Sequence, residues 1–188
     1  MANISSETDV NITTETGLIL ITEIVSIRGK ILQEFIDRLE TISQANGYNT
    51  DVNYVSSNLS IKHPEELDGD QYPACFPIDD TEQKEGFAIF SDTGDNLDTK
   101  SILTVFVTTI IKSKTGDTFD QRHSLILDIE RAIVTDTVLF DRTTSTGLLL
   151  EPAMPASVET DKGYFDGFSV FDQAFLCEYA YNHSTGGN

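Results

Sequence analysis

The chain has 188 residues, 39% of them hydrophobic and 23% charged, with a mean hydropathy of −0.17. This is one ordinary domain, long enough to bury about two-thirds of its unfolded surface. Its 12 Lys and Arg stand against 31 Asp and Glu, a formal charge of −19, which excludes nucleic-acid binding by neutralised phosphates and docking on anionic lipid, because both need surplus cations.

Residues 1–17 are mostly Ser, Thr, Asn and acids and read as a polar N-terminal arm. No signal-peptide pattern opens the chain, and no stretch approaches the ~20 apolar residues of a membrane helix. The expectation is a chain made in a reducing cytoplasm, with Cys75 and Cys177 as buried thiols. Ile24, Ile27, Ile31, Phe35, Leu39 and Ile42 then recur every three or four residues, the stripe of an amphipathic helix. Gly29 weakens its start, so it should be firm from Lys30, and Asn46-Gly47 should end it. Tyr48 to Val55 alternates as a short strand, and an acidic loop follows through Pro64-Glu65-Glu66-Leu67-Asp68-Gly69-Asp70. Pro73 and Pro77 confine any strand over Tyr72 to Ile78 to a sheet edge.

Phe87 to Phe90 reads as a strand and Ser91 to Thr99 as a turn-rich connection. Ser101 to Ser113 is the strongest strand, rich in β-branched residues, with Leu103, Val105, Val107 and Ile111 on one face. Thr118 and Gln121 form a T-x-x-Q capping box for a second helix. Its expected buried stripe is Phe119, Ile126, Ile129 and Ile133, with Asp128, Glu130 and Arg131 facing out. Leu148-Leu149-Leu150 suggests a strand ended by Glu151-Pro152. The last strand runs from Gly167 to Tyr181, aromatic on one side through Phe171, Phe175, Tyr179 and Tyr181, and residues 183–188 form a polar tail. The order predicts class α+β: one domain over 18–182, a mixed and mainly antiparallel sheet with two helices packed on it.

Chemical signatures are sparse. His63, His123 and His183 have no second His or Cys at metal-ligand spacing, which makes them structural or solvated. G-x-S-x-G, Walker and G-x-G-x-x-G patterns are absent from the sequence. Asp92-Thr93-Gly94 matches the D-T-G of aspartic proteases, but its setting, FSDTGDNLD, has the composition of an exposed turn. Asp92, Asp95, Asn96 and Asp98 could offer oxygens to Ca²⁺, yet their spacing departs from an EF-hand loop, and a solvated acidic loop is the simpler reading. The chain is expected to be no enzyme, with no cofactor and no bound metal.

Taken in order, these pieces resemble a known family. Ile31-Leu32-Gln33-Glu34-Phe35-Ile36-Asp37-Arg38-Leu39 precedes Gly47-Tyr48-Asn49-Thr50 and a strand. Pro73 to Ile78 opens a central sheet, Ser101 to Ser113 supplies its long strand, Leu125 to Phe140 supplies a helix with an Asp-Ile-x-x-Ala core, and Glu178-Tyr179-Ala180-Tyr181 closes the chain. Over residues 18–182 this is similar to the tail terminator proteins of long-tailed bacteriophages, also called tail-completion or minor tail proteins. The resemblance implies a structural virion protein at the head–tail interface. Six copies would form a ring on the head-proximal end of the tail tube, stop its polymerisation and offer a docking surface to neck and head-completion proteins.

A ring closes a heterologous interface that would otherwise grow without end, and a negative lumen passes DNA without holding it. The expected lumen-facing acids are those of one loop, either Asp92, Asp95 and Asp98 or Glu65, Glu66, Asp68 and Asp70. The polar arm and the 142–166 stretch depart from the family pattern. Two other functions fit the same sequence: another head–tail joining protein of the neck or head-completion kind and, from a different class, an acidic Ca²⁺-dependent binding module.

Overall fold

Alternation of burial along one strand organises the molecule. In β5 (Leu97–Lys112), Ser101, Leu103, Val105, Val107, Thr109 and Ile111 are at most 1% exposed, while Ile102, Thr104 and Phe106 are only half-buried. β-branched residues on a pleated strand send every second side chain to one face, and here that face is roofed by helices. The computed structural model describes residues 12–13, 19–20, 26–57, 60–90, 97–112, 118–144, 147–161 and 167–182.

The elements in chain order are β1 (Ile12–Thr13), β2 (Ile19–Leu20), α1 (Ile27–Glu40), β3 (Tyr54–Val55), β4 (Ala74–Phe90), β5, α2 (Thr118–Val134), β6 (Met154–Thr160) and β7 (Phe168–Asn182). β1 and β2 pair antiparallel as a small separate ladder. The main sheet has the order β3-β4-β5-β7-β6, with β3 parallel to β4 and all other neighbours antiparallel. The class is α+β, with two helices on a mixed, mostly antiparallel five-stranded sheet.

α1 starts where Ser26 caps it, its Oγ accepting from Gly29 N at 3.1 Å. Ile31, Leu32, Phe35, Ile36 and Leu39 are buried, and Phe35 meets Phe175 of β7 edge-on at 5.6 Å. The helix ends at Glu40, earlier than Asn46-Gly47 suggested, because Thr41 turns back onto Arg38 through both its N–H and its hydroxyl. Asn46-Gly47 ends a separate 3₁₀ turn over Gln44–Asn46, where Gly47 takes φ +82°.

In α2 the buried arc is Leu125, Asp128, Ile129, Ala132 and Ile133. Phe119 is 63% exposed, contrary to the expected stripe. It stands in the first turn in line with Ile126, which is itself only half-buried and marks the edge of the arc. The residues before Thr118, which would complete its cap, lie outside the described residues.

Three strand expectations change. Only Tyr54–Val55 of the Tyr48–Val55 segment is a strand. The two short strands foreseen around residues 72–90 are one strand, β4, which runs through a register shift between Asp79 and Glu82; β5 starts at Leu97, inside the expected connection. Leu148 to Leu150 is a bend, with Leu149 buried under the helices, and the strand of this region is instead β6, all seven of whose residues are exposed. Pro77 pairs with Val107 past the short β3, where no described strand covers the other side of β4, as the proline rule requires.

The principal core lies between the helices and the sheet, from Ile31, Phe35 and Leu39 to Val105, Phe171, Phe175 and Tyr179. A smaller cluster of Leu67, Tyr72, Ala74, Phe76 and Ile110 lies on the opposite face, under the 60–72 segment.

Candidate functional site

The acidic loop is a built object. His63 caps the 3₁₀ turn Pro64–Glu66: its Nδ1 accepts from Glu65 N, and its own N–H donates to Glu66 Oε2 at 3.0 Å. Asp68 N donates to Gln71 Oε1 at 2.9 Å, and the Tyr72 hydroxyl donates to the Pro64 carbonyl. Pro64 and Leu67 are buried beneath, while Glu65, Glu66, Asp68 and Asp70 are exposed. Anchoring by apolar residues on one side turns the four carboxylates to solvent on the other, an arrangement suited to a repulsive or partner-selecting surface. Burial raises the Tyr72 phenol above its ordinary range, so it stays a donor to Pro64 at any ordinary pH.

The second acidic stretch stands apart. Asp92 and Asp95 lie outside the described residues, as do Asn96 and the D-T-G triplet. Asp98 is part of β5, opposite Ile89 and Asn182. The 65–70 loop packs through Leu67 and Tyr72 against Ile110, twelve residues further along the same strand, or about 40 Å at 3.3 Å per residue. Glu65, Glu66, Asp68 and Asp70 therefore form one group, and Asp98 belongs to the other end of the sheet.

The groups with chemical potential are used structurally. Cys75 faces Thr109 and Cys177 faces Leu103, six rungs apart on β5, or about 20 Å, far beyond disulfide reach. Burial pushes both thiols up to about 12, so neither is a ready thiolate. His123 Nδ1 donates to the Phe119 carbonyl at 3.0 Å and its ring lies on Phe119. Among the described residues no group of three His, Cys, Asp or Glu is placed to hold a metal ion, and no helix is long and apolar enough to cross a membrane.

Three polar clamps escaped the sequence reading. Asp128, expected to face out, is 1% exposed. Its carboxylate accepts from Asn49 N at 2.9 Å, Asn49 Nδ2 at 2.8 Å, Thr50 N at 2.8 Å and Thr50 Oγ1 at 2.7 Å, and so ties the Tyr48–Thr50 loop to α2. Four donors take the place of water for a buried charge that makes no ion pair among the described residues. Asp136, also buried, meets Arg38 Nε at 2.8 Å, and Arg38 also binds Glu34 at 2.9 Å. Burial, and then the hydrogen bond and charge of Asp136, hold the Glu34 carboxyl above its usual range. Arg28 pairs with Asp79, and Glu82 accepts from the Tyr179 hydroxyl at 2.8 Å, fastening the start of α1 over the β4 register shift. The signal for one of these clamps was present: Asp128 falls three residues after Leu125, inside the helix's apolar arc.

The uncovered face of the sheet carries the other notable surface. Beside Ile61, which is 53% exposed, a groove of about 310 Å³ is lined by Ile78, Phe106, Thr108, Asp80 and Asp172. No known protein-family model matches the chain, and no curated protein matches it.

Proposed function

We propose that this protein is a tail terminator of a long-tailed bacteriophage: a ring-forming virion protein that caps the head-proximal end of the tail tube, stops tube polymerisation and receives the neck. The observation that carries the reading is the order of elements, in which an early helix, a long β4–β5 hairpin, a second helix and a closing aromatic strand bring both helices to one face of the sheet. The function requires surfaces and symmetry rather than chemistry, in keeping with histidines and thiols spent on capping and packing. A charge of −19 suits a lumen that DNA must pass without sticking. Because Asp98 and the 65–70 loop stand about 40 Å apart, only one of them serves that lumen. Glu65, Glu66, Asp68 and Asp70 are the better candidates, being displayed on an anchored loop.

The test is the mass of the purified protein by light scattering, alone and after mixing with purified tail tubes viewed by electron microscopy. A mass six times the 20.8 kDa of one chain, or rings at a single tube end, supports the assignment. Chains that stay monomeric and never meet tube ends overturn it. Rings that ignore tubes but bind the neck move the protein to the head-completion class.

A further inference from the structure

One surface asks for a partner of definite chemistry, and it does so whatever the assembly role. Among the described residues, β4, β5 and β7 are roofed by helices on one side only. On the other side, Ile78 and Phe106 stand half-buried beside Ile61, over a groove of about 310 Å³. Two carboxylates border it. Asp80 is exposed, and Asp172, half-buried, accepts from the Thr108 hydroxyl at 2.5 Å through Oδ1. Asp79 reaches the groove only with its backbone side, since its carboxylate pairs with Arg28 under the sheet. Among the described residues no Lys or Arg lines this groove. Across Ile61 a second groove of about 320 Å³ is floored by Pro64, Ile110 and Val170, where the Lys62 ammonium lies over the Tyr54 ring at 4.8 Å.

The two apolar hollows are separated along β5 by the step from Phe106 and Thr108 to Ile110. The apolar floors Phe106 and Ile110 are four residues apart on β5, about 13 Å at 3.3 Å per residue. A segment in extended conformation therefore seats residues i and i+4 in the two hollows, with residue i+2 beside Asp172, which stands opposite Thr108 between them, and residue i−2 toward Asp80.

We infer that this sheet face, between Ile78, Phe106 and Ile61, is a docking groove for an extended cationic segment of a partner protein: two apolar side chains four residues apart fill its hollows, a Lys or Arg between them pairs with Asp172, and a second one before them pairs with Asp80. Charge complementarity selects this occupant. The acid-only rim would repel another copy of this −19 chain presenting its own acidic surface. An apolar floor gives a free small cation little to bind.

The full chain, isotopically labelled, is titrated with acetyl-Arg-Thr-Leu-Thr-Arg-Thr-Leu-amide and followed by amide NMR shifts. Saturable shifts should gather at residues 76–80, 104–110 and 170–174. The D80N/D172N variant should bind about fivefold more weakly, two rim carboxylates being worth up to about 1 kcal/mol together, and Ile61→Ser should lose most of the binding. D37N/E40Q, which removes the same charge from exposed positions of α1, should bind as the parent does. The inference is overturned by equal weakening in both double variants, by equal binding of the peptide with Gln in place of Arg or Ser in place of Leu, or by shifts that appear on concentrating the protein alone, which would make the occupant a second copy. Melting curves of each variant separate lost binding from lost folding.

Discussion

The two faces of the sheet are made from the same strands and behave as different materials. Under the helices the alternate residues of β5 and β7 are sealed to 1% exposure or less from Phe171 to Tyr179 and from Ser101 to Ile111, and Gln173 and Tyr179 are tied there to Glu130 and Glu82. On the opposite face only the end beneath the 60–72 segment is closed, and Ile102, Phe106 and Leu176 are left half-buried. One face therefore carries the stability of the fold, and the other is free to be spent on recognition.

Substitutions should separate the faces sharply. Phe175→Ala, which empties the space against Phe35, should destabilise by about 4 kcal/mol in denaturant titration. Asp128→Ala should cost about 3 kcal/mol, because it leaves the Asn49 and Thr50 donors buried without an acceptor. Asp128→Asn should recover only part of that, since its amide keeps a single oxygen acceptor. Ile61→Ser, on the open face, should change stability by about 0.5 kcal/mol or less; a loss comparable to that of Phe175→Ala would dissolve the distinction between the faces.

A small, pH-dependent effect concerns Glu34. Its folded-state pKa is raised, so proton binding favours the native state: the stabilisation is full below the unfolded pKa, near 4.5, and is lost as pH rises through the folded value. Glu34→Gln should therefore gain stability relative to the parent at neutral pH, by under about 1 kcal/mol after screening, and the gain should vanish below pH 4.5. A gain that persisted in acid would place its origin outside titration.

What the sequence disclosed follows the same division. α1, β5, α2 and β7 were legible because a sealed face imposes a period of 3.6 or 2 on apolar residues. β6 was invisible for the opposite reason: Met154 to Thr160 is exposed throughout, so nothing selects an alternation. The far half of β4, Asp79 to Glu85, reads as loop because its polar residues are tolerated on a strand with no described neighbour on one side. Asp128 was misread because a charge on a helix is normally solvated, and only its four donors, 78 and 79 residues distant in the chain, reverse that. The exposed acids of residues 65–70 were apparent from composition. The neighbouring groove was not, because Ile61, Ile78, Phe106 and Asp172 come from four separate segments.

β6 has one more consequence. A border strand with free backbone groups invites the strand of any passing chain, and a sheet that accepts one can accept another. Here the border is seven residues long, holds a proline that offers no N–H, and slips register between Pro155 and Ser157, so its donors and acceptors do not stand in a regular row. Glu159 adds a charge to the same border. This border of the sheet thus offers the strand of another chain no regular row of groups to pair with.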